Sequence, residues 1–306
     1  MAASLKKLLI GTSVAVGMSA VGITPALAGS LTNATIGGTA ASDYLTYGTS
    51  GNKTVLIPNS VANLQSVLDG NAATPTGNVE LAASSEKAGF DFTKNTSLTG
   101  DIGGKSLTLS SLTASDWATT VSGGLTLAQK WFGDALTANG YGAVLGNASL
   151  YGAAWNTFST GGGLQRFSDP NISYVNQDDS TGEIKIGLAG HYDATPMLFK
   201  GLNNTQKFLL NSLRDPSKAA APIQASEIVK YTYNGTTNYL YNFLATGSGL
   251  TAADDNFSHS GNYELKLAGV ITPPPAAAVP EPSTILGLMA VGGLFGAAKR
   301  NANKKA

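Results

Sequence analysis

"NISYVNQDDSTGEIKIGLAG", Asn171 to Gly190, holds two runs of alternating apolar and polar residues on either side of Asp178-Asp179-Ser180-Thr181-Gly182. A period of two places every second side chain on one face of a strand, and an Asp/Gly-rich interruption turns the chain back, so the stretch predicts an antiparallel hairpin. Downstream, "EIVKYTYNGTTNYLYNF" (Glu227–Phe243) repeats the pattern around Asn234-Gly235, a pair suited to the positive φ angles of a tight hairpin turn, and "NYELKL" (Asn262–Leu267) adds a further strand.

Upstream of Asn171 the period changes. "SDWATTVSGGLTLAQKWFGDALTANG" (Ser115–Gly140) predicts two helical pieces broken at Gly123-Gly124, with Leu127, Trp131 and Ala135 on one face of the second; "NASLYGAAWNTFSTGGG" (Asn147–Gly163) predicts a third. "NSVANLQSVLDG" (Asn59–Gly70) reads as a short amphipathic helix with Asn59 or Ser60 as cap, "KSLTLSSL" (Lys105–Leu112) as a strand, and Ser30 to Gly51 as loop and short strand. The fold expected is α+β: a helix-rich first half followed by antiparallel β-hairpins.

The two ends differ from this middle. Lys6 and Lys7, an apolar run from Leu8 to Ile23 and the small-residue motif Ala26-Leu27-Ala28 form a secretory signal peptide, with cleavage expected before Gly29. At the other end, Val279-Pro280-Glu281-Pro282-Ser283-Thr284 precedes an apolar segment to Ala298, which Lys299 and Arg300 stop. As a helix its roughly 15 residues reach about 22 Å, short of a hydrocarbon core of about 30 Å. Pro280 and Pro282 block helix upstream, and the cations hold the tail on the cytoplasmic side. The organisation expected is therefore 1–28 signal peptide, 29–271 secreted domain, 272–283 Pro-rich spacer, and 284–306 apolar helix with basic tail.

The order Pro-Glu-Pro, apolar helix and basic pair resembles the PEP-CTERM sorting signal. This resemblance implies signal peptidase and exosortase as processing partners, transient anchoring through the C-terminal helix, and delivery to the cell envelope or extracellular matrix of a polysaccharide-producing Gram-negative bacterium. The middle of the chain is similar to secreted PEP-CTERM proteins of cyanobacteria, which implies no known activity.

Charge and composition narrow the remaining classes. Of 19 basic and 19 acidic residues, six basic ones and only Glu281 lie in the two ends, leaving 13 basic against 18 acidic residues in the middle and excluding a nucleic-acid binder. Charged residues are 12% of the chain, about half the usual share, so the surface is polar mainly through hydroxyls and amides, as suits an extracellular setting. The absence of cysteine removes disulfides, thiolate nucleophiles and Cys-ligated metals.

Few residues signal chemistry. "TGDIGGKS" (Thr99–Ser106) misses the P-loop spacing, since Thr99 stands where glycine is required. Asp178, Asp179 and Glu183 are oxygen donors suited to calcium but depart from the EF-hand pattern; Asp254, Asp255 and Asn256 form a similar acidic turn. His191 near Asp193, or His259 with Asp254, could assist a serine, but no H-E-x-x-H or G-x-S-x-G marks a catalytic site. The N-x-[ST] runs, such as Asn95-Thr96-Ser97 and Asn171-Ile172-Ser173, fit the chance expectation for a chain rich in Asn, Ser and Thr. Trp117, Trp131 and Trp155 read as the core of a helical subdomain, with a sugar-stacking platform as the sharper alternative. The expected function is a structural or adhesive surface protein without catalysis, cofactor or nucleic-acid partner; the alternative is a carbohydrate-binding or carbohydrate-active protein in contact with extracellular polysaccharide.

Overall fold

The computed structural model describes residues 29–271. The signal-peptide segment 1–28, the spacer and Pro-Glu-Pro motif (272–283) and the apolar sorting helix (284–306) lie outside the described residues. Among the described residues no helix is long and apolar enough to cross a membrane.

The leading hairpin forms where the alternation places it. Strand β8 (Asn171–Gln177) pairs antiparallel with β9 (Glu183–Gly190), and Ile184, Ile186 and Leu188 of β9 are fully buried. A bulge between Ile172 and Tyr174 re-aims the tyrosine across Gly187, where an added Cβ would lie 2.1 Å from the ring. Asp178 closes the turn by accepting from the Ser180 and Thr181 amides, and Gly182 takes the positive φ of 75° that ends it.

Around this hairpin the chain is predominantly β, which corrects the expected helix-rich first half. Before Ser111 it forms seven strands: β1 (Gly29–Ser30), β2 (Thr32–Gly38), β3 (Tyr44–Ser50), β4 (Lys53–Ile57), β5 (Gly77–Leu81), β6 (Thr96–Ile102) and β7 (Lys105–Ser110). Only helix α1 (Val61–Leu68), capped by Ser60 through the Asn63 amide, interrupts them. The reason lies in composition: β2 (TNATIGG) and β3 (YLTYGTS) carry Thr, Gly and Ser in place of an apolar alternation. Their pairing comes from partners distant in sequence, which residue pattern alone does not display.

The remaining strands are β10 (Val229–Tyr233), β11 (Thr236–Leu240), β12 (Thr246–Gly247), β13 (Thr251–Ala252) and β14 (Gly261–Ala268). The larger sheet runs β12-β14-β9-β8-β5-β3-β4-β13, with β1 added on β8; the smaller runs β11-β10-β7-β6-β2. All pairings are antiparallel except β13 on β4. Asn234 and Gly235, both at positive φ (48° and 77°), make the tight β10–β11 turn. One apolar core joins both sheets: Val79, Ile172, Val175 and Ile186 from the larger, Leu98, Leu107 and Leu109 from the smaller, and Leu64, Val67 and Leu68 from α1. Burying each such side chain contributes roughly 1.5–3 kcal/mol.

The helices cluster in the middle of the chain: α2 (Ala114–Trp117), α3 (Leu127–Ala138), α4 (Gly142–Leu145), α5 (Ala148–Thr160) and α6 (Gly163–Arg166) before β8, then α7 (Thr195–Leu198) and α8 (Asn204–Ser212) after β9. Gly123 and Gly124, both at positive φ, separate α2 from α3, and a Thr126–Gln129 capping box starts α3. Their own core centres on the fully buried Trp131, whose ring lies 4.5 Å from Phe167, 5.6 Å from Phe158 and 5.9 Å from Trp117, centroid to centroid.

Candidate functional site

Where the larger sheet meets the helical cluster, the chain leaves a cleft of about 380 Å³. Its floor is built from strand ends. Tyr47 comes from β3 and Glu80 from β5; Asp169 and Asn171 lead into β8; Gly190 and His191 leave β9; and Glu227 stands two residues before β10. The rim is Arg166 of α6, Lys200, Glu86 and the loop Asp254–His259 between β13 and β14.

Burial shapes the chemistry of these groups. Glu80 accepts a hydrogen bond from the Tyr47 hydroxyl at 3.0 Å, yet burial lifts its carboxyl to about 7, with Glu86 adding repulsion. Burial, then repulsion from Glu80 and Glu86, lifts Glu227 to about 8. Asp169, 6% exposed, is held well above the usual carboxylate range by burial and by Glu227 and Glu80, although Ser85 donates its hydroxyl to Oδ2. At pH 7 Glu227 is therefore mostly protonated and Glu80 about half protonated, and carboxyls perturbed in this way are concentrated at functional clefts.

Several buried atoms in the cleft have no partner in the protein: Asp169 Oδ1, Asn171 Oδ1, Glu227 Oε2 and Arg166 Nε. Arg166 is spent on backbone, donating to the Gly161 carbonyl at 2.7 Å and the Met197 carbonyl at 3.2 Å, and so neutralises none of the acids directly. The ion pairs among the described residues join Lys94 to Asp91, Lys130 to Asp134, Lys185 to Glu264, Lys230 to Asp116 and Lys266 to Glu183, all away from the cleft.

The two histidines meet at the rim. His259, 5% exposed and at φ 62°, bonds Thr54 Oγ1 through Nδ1 at 2.7 Å and packs on Tyr47; burial pushes it down to about 4, so it is neutral at pH 7. His191 Nε2 lies 3.3 Å from Ser258 Oγ, but Ser258 donates its hydroxyl to Asp255, whose other oxygen accepts the Phe257 and Ser258 amides. The carboxylate thus engages the serine and the turn backbone, the reverse of a nucleophile–base–orienter order.

The acids singled out in the sequence sit elsewhere. Asp178 Oδ1 is occupied by the Ser180 hydroxyl and two turn amides, and Glu183 pairs with Lys266 at 3.1 Å. Asp179 lies on the same turn, its Oδ1 3.6 Å from where a Cβ on Gly29 would stand. Among the described residues no group of three or more His, Asp or Glu side chains is placed to hold a metal ion. Ala26, Ala28, the sorting residues Val279 to Thr284, and Lys299 and Arg300 lie outside the described residues, whereas Gly29 begins β1 opposite Gln177. Glu80, Asp169, Asn171 and Glu227 escaped sequence reasoning. The available signal was an acid inside a buried strand run, "NVEL" (Asn78–Leu81) and "SEIV" (Ser226–Val229).

Residues 278–301 match the family described as the PEP-CTERM protein-sorting motif. The chain carries the PEP-CTERM sorting signal. It is thereby an exported protein, addressed to exosortase and directed to the cell surface. No curated protein and no solved structure matches the chain. The PEP-CTERM signal thus assigns a route, and the cleft must be read from its own chemistry.

Proposed function

We propose that this PEP-CTERM protein has a structural or adhesive role without catalysis, retained after exosortase processing in the envelope or its polysaccharide matrix. The observation that carries the reading is the sorting signal joined to a β-rich domain whose tryptophans belong to the packing of its helical core. Trp117 and Trp131 are buried, with the Trp117 indole N–H donating to Ser168 at 2.6 Å, and Trp155 packs on Phe132. Such rings supply core burial, and of the three indoles only that of Trp155 is partly exposed. The turn-bound Asp255 and Ser258 support a non-catalytic reading of the histidine rim. A second reading, carbohydrate binding, is favoured by the cleft alone, whose unpartnered acceptors suit hydroxyl donors.

The test compares wild-type cells with cells in which Pro280-Glu281-Pro282 is replaced by alanines. Intact mass should show the wild-type chain shortened at its C-terminus and the variant intact, and the variant cells should aggregate less. A full-length wild-type chain ending at Ala306 would sink the processing step; equal aggregation with correct processing would sink the adhesive role.

A further inference from the structure

We propose that the cleft between the larger sheet and the helical cluster is a binding site for an organic cation, a small ligand bearing a primary ammonium group. The inference stands on the cleft's own geometry and is independent of the adhesive reading.

Three acceptor oxygens are involved: Asp169 Oδ1, Asn171 Oδ1 and Glu227 Oε2. All are buried and lack a donor, and the residues that carry them line one cavity. Asp169 and Asn171 are 6% and 8% exposed. A buried acceptor left unmatched costs about 1–3 kcal/mol, so three in one cleft point to a ligand that brings donors. The fourth unpartnered atom of the cleft, Arg166 Nε, is a donor, but the three oxygens outnumber it, and an ammonium group supplies three donors.

Charge selects the same chemistry. Glu80, Glu86, Asp169, Glu227, Asp254 and Asp255 line the cleft, and no ion pair among the described residues involves any of them. The cations at the rim do not pair with them: Arg166 is bound to carbonyls, and Lys200 joins none of the ion pairs among the described residues. A neutral sugar would satisfy acceptors but would leave Glu80 and Glu227 uncompensated once they ionise above neutral pH. Among the described residues no three His, Asp or Glu side chains are placed to hold a metal ion. An organic cation reaches acceptors spread along a cavity, and about 380 Å³ accommodates a small one.

Without ligand, Glu227 stays mostly protonated and Glu80 about half protonated at pH 7, burial having raised them to about 8 and about 7. An arriving cation favours their ionised forms and expels protons, so affinity rises with pH. Around these carboxyls stand Tyr47, held protonated by burial, the histidines, which burial keeps neutral, Asp43 and Glu86, whose repulsion adds to the trend, Asp169, which is raised together with them, and Lys87, whose attraction works against it. Arg166, Lys200, Asp254 and Asp255 complete the charged lining of the cleft.

The test is isothermal titration calorimetry on the full chain in mild detergent. Putrescine is the probe; its neutral isostere butane-1,4-diol, methyl glucoside and calcium chloride are the comparisons. Putrescine should bind saturably and at least about tenfold more tightly at about pH 8.5 than at about pH 6, with proton release seen as a buffer-dependent heat. The diol and the glucoside should give no saturable heat. Glu227→Gln and Asp169→Asn should each weaken putrescine by about tenfold or more, while Asp91→Asn, on an exposed turn, should leave it unchanged. Any of three results would overturn the proposal: no putrescine binding, diol or glucoside binding as tightly, or calcium binding in place of putrescine. Undiminished binding by both folded cleft variants would also overturn it, and the wild-type comparisons decide the matter should either variant misfold.

Discussion

Replacing Glu227 by glutamine should make the protein more stable at alkaline pH and leave it nearly unchanged in acid. The folded-state carboxyl is raised from its ordinary 4.5 to about 8, so its protonated form belongs to the folded chain. For an acid shifted upward, the folded state holds the extra proton. The associated stability is present below pH 4.5 and is lost as pH rises through about 8. At about 1.4 kcal/mol per pH unit, a displacement of that size corresponds to roughly 5 kcal/mol for a group titrating alone. Glu227 retains some solvent contact and shares its repulsion with Glu80 and Glu86, so roughly half of that is expected. Glutamine keeps the shape and cannot ionise. Above about pH 8.5 the variant should therefore exceed wild type by about 2–3 kcal/mol, a rise in Tm of roughly 5–10 °C, and below about pH 6 the two should agree within about 1 kcal/mol. Urea denaturation of both chains across this range reads the difference directly. Parallel stability curves would refute the reasoning, because they would mean that Glu227 ionises in the folded protein as it does in water.

Other expectations follow from the packing. Trp131→Ala, which empties the centre of the helical core, should cost about 3–5 kcal/mol by chemical denaturation; a loss under about 1 kcal/mol would show that the neighbouring rings collapse into the space. Gly187→Ala pushes a methyl group into Tyr174 and should cost at least about 2 kcal/mol, and pairing it with Tyr174→Ala should return part of that loss. Asp178→Ala removes the acceptor of two turn amides and should destabilise the β8–β9 hairpin by about 1 kcal/mol. Adding a chelator to the wild type should leave Tm unmoved, since Asp178 already spends its oxygen on the turn; a fall in Tm would reinstate calcium there.

The candidate site illustrates where residue patterns lose their force. Each helix and hairpin read from the middle of the chain rests on a local period, and such periods survive folding: Leu127, Trp131 and Ala135 do share the buried face of α3. The cleft has no local period. Glu80 and Glu227 are 147 positions apart, and their mutual repulsion exists because β5 and the approach to β10 end at the same place. In sequence each is one acid among eighteen in the domain; once buried, it becomes a carboxyl that keeps its proton.

By itself the sequence determined the address, because a sorting signal is a contiguous string recognised before or apart from folding, and it determined the hairpins whose turns are written in Asp-Gly and Asn-Gly chemistry. The tertiary structure alone decided that the Thr- and Gly-rich segments Thr32–Gly38 and Tyr44–Ser50 are full strands, since their ladders join β2 to β6 and β3 to β5 across long stretches of chain. It alone decided which charges lose their water. Burial is a property of the assembled layers, and no single stretch of residues contains it.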